Sequence, residues 1–208
     1  MEFAAKDIHV LEAENTRLYG EIESLTDTLL TTLSKAIAAK DRSTKLHSIR
    51  VTEFSLLIGR HIGLPQDEIE LLRRGALLHD VGKIGIQDYI LLKPGELTEE
   101  EFGAIRRHPE IGARILEEAM PLSAVVPIVL HHHERYDGRG YPYGLKGTEI
   151  PLPARIVTVS DAFEAMTSNR TYRKALAFDR AIEELRLHAG TQFDPQIVDV
   201  CIDALITP

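Results

Sequence analysis

Tryptophan is absent from the 208 residues, and aromatic residues make up only 6%. A ring-dominated core is therefore excluded, and the 44% hydrophobic content must pack mainly through aliphatic side chains. The single cysteine, Cys201, excludes an internal disulfide and points to a reducing compartment. It lies in a late apolar run and reads as a small buried hydrophobe. No apolar run is long enough to cross a bilayer, and no signal-peptide pattern follows Met1. The expected location is the cytoplasm, with no membrane segment in this chain. Positive charge is in deficit: the net charge of -8 argues against a binder of nucleic-acid polymers. An anionic ligand would need cations supplied locally, by basic side chains or by metal.

Proline is also missing from residues 1–40, where Gly20 is the one glycine. Apolar residues recur there by threes and fours. Ile8, Asn15, Ile22 and Leu29 fall at heptad position a, and Leu11, Leu18 and Leu25 at d. β-Branched residues at a with leucine at d favour a parallel two-stranded coiled coil, and a lone asparagine at a fixes register. The expectation is a parallel homodimer through this helix, continuous with an upstream sensor or receiver module. From Asp41 onward helical periodicity predicts helices over Ser43–Ile62, Pro65–His79, Pro109–Glu118, Leu122–His133, Pro153–Asn169, Asp179–His188 and Pro195–Ile206. Thr98 and Glu101 have the spacing of a capping box. The glycine- and proline-rich stretch between Glu134 and Pro153 is too long for a plain connection and reads as functional. No run reads as a sheet. The fold class is all-α: a helical bundle at 41–208 behind a coiled-coil or linker helix at 1–40.

Ligand-type residues sit in apolar surroundings along this pattern. His79-Asp80 ends the run Leu77-Leu78, His47 lies in Leu46-His47-Ser48-Ile49, and His108-Pro109 opens a helix. His132-His133 closes an apolar segment, and Asp161 interrupts another. A buried aspartate is costly unless paired or bound to metal, and imidazole with carboxylate suits iron, manganese or zinc. An adjacent His-Asp pair can serve two ions if the carboxylate bridges them. His9, His61 and His188 read as exposed or ordinary core residues, and His131 as a helix-end neighbour.

These elements resemble the HD-GYP family, a branch of the HD metal-dependent phosphohydrolases. The resemblance is carried by Lys40-Asp41 with His47-Ser48-Ile49-Arg50-Val51, then His79-Asp80-Val81-Gly82-Lys83 and His108-Pro109-Glu110-Ile111-Gly112. It continues in the run from His132 to Gly140-Tyr141-Pro142, and in Asp161 to Ser168 with Arg170-Thr171-Tyr172-Arg173. It makes residues 41–208 an HD-GYP catalytic domain and implies hydrolysis of cyclic di-GMP to pGpG, with onward cleavage to GMP left open. By motif position, one metal would take His47, His79, Asp80 and Asp161. The second would take Asp80, His108, His132 and His133, with Asp80 bridging. The cofactors implied are two divalent transition-metal ions, iron or manganese first and zinc as the alternative. Relatives with a third metal carry a glutamate where this chain has Ser43, and a hydroxyl is a poor replacement, so two ions are expected.

The nucleophile implied is a hydroxide held between the ions, with Lys83 stabilising charge at the same phosphate. Arg170 and Arg173, three residues apart, would grip the second phosphate. Gly140 and Tyr141 would let the loop reach a guanine, and Asp41 would either contact the ligand or cap a helix. Two rivals stand beside the enzyme reading. One is a cyclic di-GMP-binding effector with little turnover; the other is an HD hydrolase of another cyclic dinucleotide or nucleotide.

Overall fold

A helix of 39 residues, α1 (Glu2–Lys40), opens the chain. The computed structural model describes residues 2–41, 46–169 and 174–206. Two faces of α1 have different fates. Leu11, Leu18, Ile22, Leu25 and Leu29, the predicted seam, are exposed. Leu30, Ser34 and Ile37, about a quarter turn away, are buried against the body. Asp27 on the same helix pairs with Arg73. The second half of α1 is thus packed on the domain while the seam remains outside.

The body begins with the helices α2 (His47–Ile62) and α3 (Gln66–Leu78), joined by a tight turn. Gly63 ends α2 in a left-handed conformation, φ 85°, which a side chain would disfavour. A 3-10 turn, Val81–Gly85, follows α3 and precedes the short α4 (Asp88–Leu91), α5 (Glu99–Ile105) and α6 (His108–Glu117). The capping box expected at α5 is formed: Glu101 N–H donates to the Thr98 hydroxyl, and Thr98 N–H donates to the Glu101 carboxylate. Next come α7 (Val126–His131), α8 (Leu152–Thr167), α9 (Phe178–Leu187) and α10 (Pro195–Ile206). Among the described residues there is no strand, only isolated bridges such as Asp137 with Lys146.

One expected helix is divided. Leu122–His133 was a single periodic run, but the chain forms a 3-10 turn at Met120–Val125 and only then α7. Pro127 explains the break, because its ring displaces the carbonyl four residues back and it has no N–H to donate. It fits in the first turn of α7, where that donor would be unused. The division leaves His132 and His133 just beyond a helix end, free to turn inward.

Two apolar clusters form the interior. One gathers Val51, Ile58, Leu72, Ile156, Phe163 and Val198 from α2, α3, α8 and α10. The other gathers Leu30, Ile37, Leu77, Leu78, Leu116 and Val129 from α1, α3, α6 and α7. Helix α3 belongs to both, so its end at His79-Asp80 emerges where the clusters meet. No helix is long and apolar enough to cross a membrane among the described residues.

Candidate metal centre

Five helices deliver ligand-type atoms to one place. His47 is the first residue of α2 and His108 the first of α6; His79 caps α3, His132 caps α7, and Asp161 lies within α8. Two trios form, His47/His79/Asp80 and His108/His132/His133, and within each the candidate atoms lie within 4.8 Å of one another. Asp80 faces both. Its Oδ2 is 3.4 Å from His79 Nε2 and 3.9 Å from His47 Nε2, and its Oδ1 is 3.5 Å from His108 Nε2. Asp161 Oδ1 lies 3.4 Å from His47 Nε2.

The histidines are oriented from behind. Nδ1 of His79, His108 and His132 lies 2.7, 2.8 and 2.7 Å from the carbonyl oxygen three residues earlier, of Ala76, Ile105 and Val129. A carbonyl can only accept, so each Nδ1 carries the hydrogen and each Nε2 is turned to the centre. His47 uses a carboxylate instead: its Nδ1 is 2.6 Å from Glu164 Oε2. The consequence is sharpest between His108 and His132, whose Nε2 atoms stand 3.3 Å apart. Two bare nitrogen lone pairs at that distance repel unless a cation or a proton stands between them. The donor set therefore fits a metal.

Charge is arranged to match at the His108 trio. Burial favours the neutral forms of His108, His132 and His133, holding His133 down at about 3, with neighbouring imidazoles adding to the effect. Neutral imidazole is the form that ligates. Burial opposes charge on Asp80 as well, but Lys83 and His79 overcome it and hold the carboxyl well below the ordinary range. Burial likewise opposes a charged His79, but the Asp80 charge and hydrogen bond prevail and raise it to about 9.

Lys83, from the 3-10 turn, donates to Asp41 Oδ2 and Asp80 Oδ2, each at 2.7 Å. Burial works against its charge, yet the two carboxylates raise its pKa above the ordinary lysine value, so it remains a cation. Asp41 directly follows α1 and does not cap α2, whose N-cap is Leu46; the cap reading is corrected because its carboxylate is engaged by Lys83. Tyr141 stacks on His133 with ring centroids 4.8 Å apart. Gly140 answers to its own loop: a Cβ there would lie 2.3 Å from Arg135 N and 2.6 Å from His133 O. Arg170, Arg173 and Ser43 lie outside the described residues.

Sequence reasoning passed over two buried glutamates. Glu164, 1% exposed, holds His47 and also accepts from the Ser168 hydroxyl at 2.6 Å, which Arg50 bonds at 2.9 Å. Glu134, equally buried, accepts from Tyr143 N–H and Leu145 N–H and shapes the loop after His133. Neither carries a signal that marks it out, since each is one of 32 acidic residues in the chain. Glu164→Gln is expected to weaken metal binding about 10- to 100-fold, read by competition with a chelator. Unchanged affinity would contradict the role given to this carboxylate.

The family model described as HD domain matches residues 31–197. A cyclic di-GMP phosphodiesterase response regulator of Xanthomonas campestris pv. campestris is 42% identical over 189 residues, 90% of this chain and 49% of that protein. A cyclic di-GMP phosphodiesterase of Thermotoga maritima is 38% identical over 93% of this chain and 53% of its own length. A 3'3'-cGAMP-specific phosphodiesterase of Vibrio cholerae is 38% identical over 81% of this chain and 36% of its own. The chain spans about half the length, or less, of these curated relatives. Among solved structures, the cyclic GMP-AMP-specific phosphodiesterase V-cGAP3 of V. cholerae superposes with TM-score 0.68 at 21% identity, covering 86% of this chain and 48% of that one. The HD domain of the L. monocytogenes phosphodiesterase PgpH, in complex with cyclic-di-AMP, gives 0.62 at 24%, covering 84% and 93%. These likenesses show the fold. With His79-Asp80 at its centre and a family match over most of its length, this chain belongs to the HD domain family.

Proposed function

We propose that this chain is a metal-dependent phosphodiesterase that hydrolyses cyclic di-GMP to pGpG. The observation that carries the reading is Asp80, one buried carboxylate that belongs to the His47 trio and also faces His108 of the other. His47, His79, Asp80 and Asp161 would hold one divalent ion; Asp80, His108, His132 and His133 would hold the other. Such ions supply Lewis acidity and a water acidic enough to serve as nucleophile near neutral pH. Lys83, held charged, is unfit as a general base and suited to stabilising negative charge on a phosphate. Tyr141 offers a ring beside His133 for the substrate. Arg170 and Arg173 are assigned to the second phosphate on the sequence resemblance. Imidazole and carboxylate donors support iron or manganese, with zinc as the alternative.

Metal analysis after anaerobic purification is expected to find about two ions per chain; one or none would overturn the dinuclear reading. The relatives named for cyclic di-GMP and for 3'3'-cGAMP match at similar identity, so a second substrate reading is kept. A panel of both dinucleotides decides it: cyclic di-GMP is expected to have the higher kcat/KM, and the reverse order would assign the chain to the second class.

The partner assigned to α1 is a second copy, parallel, through Ile22, Leu25 and the other exposed seam residues. The support is the a/d chemistry with Asn15 at a, on a face the domain does not cover. Ile22→Asp is expected to convert dimer to monomer in sedimentation while leaving domain melting in place. A wild-type chain that sediments as a monomer at high micromolar concentration would contradict the assignment. A sensor or receiver module ahead of α1 belongs to this reading, in keeping with relatives about twice as long.

A further inference from the structure

We propose that Lys40 is a positioning residue for Lys83, clasping the turn that carries it; the proposal rests on the phosphodiesterase reading above. Lys40 is the last residue of α1. Its ammonium donates to the carbonyl oxygens of Ile84, at 2.7 Å, and Ile86, at 2.8 Å. These carbonyls close the turn Val81–Gly85, where a helical segment leaves its acceptors unsatisfied. A cation bonded to two of them makes charge-assisted hydrogen bonds, stronger than neutral ones. Lys40 also stands 3.4 Å from Asp88 Oδ1, an exposed carboxylate that adds little.

The next residue completes the grip. Asp41 accepts from the Lys83 ammonium, so α1 holds the turn by its backbone end and by its lysine side chain. At its two ends the turn is closed by Lys83 N–H to Asp80 O at 3.0 Å and by Ile86 N–H to Lys83 O at 3.1 Å. The clasp in turn is anchored. Leu30 and Ile37 are buried in the second apolar cluster, and Asp27 pairs with Arg73 on α3, so the end of α1 has a fixed position over the turn. Neither Lys40 nor its carbonyl partners Ile84 and Ile86 belong to the ligand trios. The clasp therefore acts on where the Lys83 charge stands, and it reaches the metal ligands only through the Lys83 bond to Asp80.

The test uses the full metal-loaded chain and four variants: Lys40→Met, which keeps the stem and loses the charge, Lys40→Arg, Lys83→Met, and the double Lys40→Met/Lys83→Met. Lys40→Met is expected to lower kcat about tenfold, the scale of one hydrogen bond to a charged group, with KM for cyclic di-GMP and metal content unchanged. Lys40→Arg should recover most of the loss. In the Lys83→Met background the same change should cost nothing more, because residues acting as one unit are not additive. An equal loss in both backgrounds, or a loss of metal, would assign Lys40 a merely structural role and overturn the proposal. Hydrogen exchange at residues 81–87 reads the clasp without any substrate. Lys40→Met should speed it there and not in α8 or α10, and unchanged exchange overturns the clasp. A wild-type chain that cleaves no cyclic dinucleotide would sink the phosphodiesterase reading separately, with the exchange result still deciding the clasp.

Discussion

Asp80→Ala is expected to reduce turnover by at least about a thousandfold, equivalent to about 4 kcal/mol of transition-state stabilisation. It should also strip much of the bound metal. The reason is the position of one carboxylate. Oδ2 faces His47 and His79, Oδ1 faces His108, and Lys83 bonds Oδ2 at 2.7 Å. Its removal takes a carboxylate from both proposed metal sites and one of two carboxylate partners from a buried lysine at once. Removing one member of a buried charged pair costs more than the pair contributes, because the other charge is left uncompensated. Asp80→Asn separates shape from charge: it fills the volume yet should lose nearly as much activity. Retained turnover in either variant would remove the basis for a carboxylate shared between two ions.

The second large effect is structural and comes from a residue with no side chain. Gly82 lies under the start of α6, where a Cβ would stand 1.8 Å from the His108 carbonyl oxygen and 2.5 Å from Gly112 N. Both obstacles are backbone and cannot rotate away. Gly82→Ala must push α6 off the Lys83 turn, carrying His108 away from Asp80. We expect a cost of about 3 kcal/mol or more and a melting temperature lower by about 10 °C. Metal at the His108 trio should be lost before metal at the His47 trio. Gly103→Ala in α5 is the control, since a Cβ there meets nothing within 4 Å. Equal melting of the two variants would mean that the packing of α6 on the turn is looser than described.

Much of this was readable in the chain because it is local. The capping box at Thr98 and Glu101 depends on residues three apart, and both of its hydrogen bonds form. Helix α10 has the bounds its apolar period predicts, from Pro195 to Ile206. The histidines and aspartates singled out for ligand chemistry lie in apolar surroundings, and burying such groups calls for partners. What escaped depends on contacts distant in sequence. Glu164 is one of many acidic residues until α2 places His47 against it, 117 positions away. Lys40 is legible as part of the Lys40-Asp41 element, but its partners are not, because the turn after α3 lies 44 to 46 residues on.

Gly140 was legible as a close-approach glycine but not as to what approaches: the loop's own backbone at Arg135 and His133 fills the space a Cβ would need. The split at α7 was legible in principle, because Pro127 sits in the middle of the run. Hydrophobic periodicity masks it, because a single proline leaves the apolar spacing intact. The three imidazoles tied to carbonyls three residues earlier form a pattern that periodicity does not report. It arises because a histidine at a helix terminus can turn back to carbonyls of its own chain.

Product chromatography with cyclic di-GMP and added Mn(II) or anaerobic Fe(II) is the most direct test of hydrolysis by this chain. The wild-type chain should convert it to pGpG, with chelator or Asp80→Ala abolishing the product. Binding of cyclic di-GMP by the metal-loaded chain with no release of pGpG would contradict the enzyme reading and leave an effector module in its place.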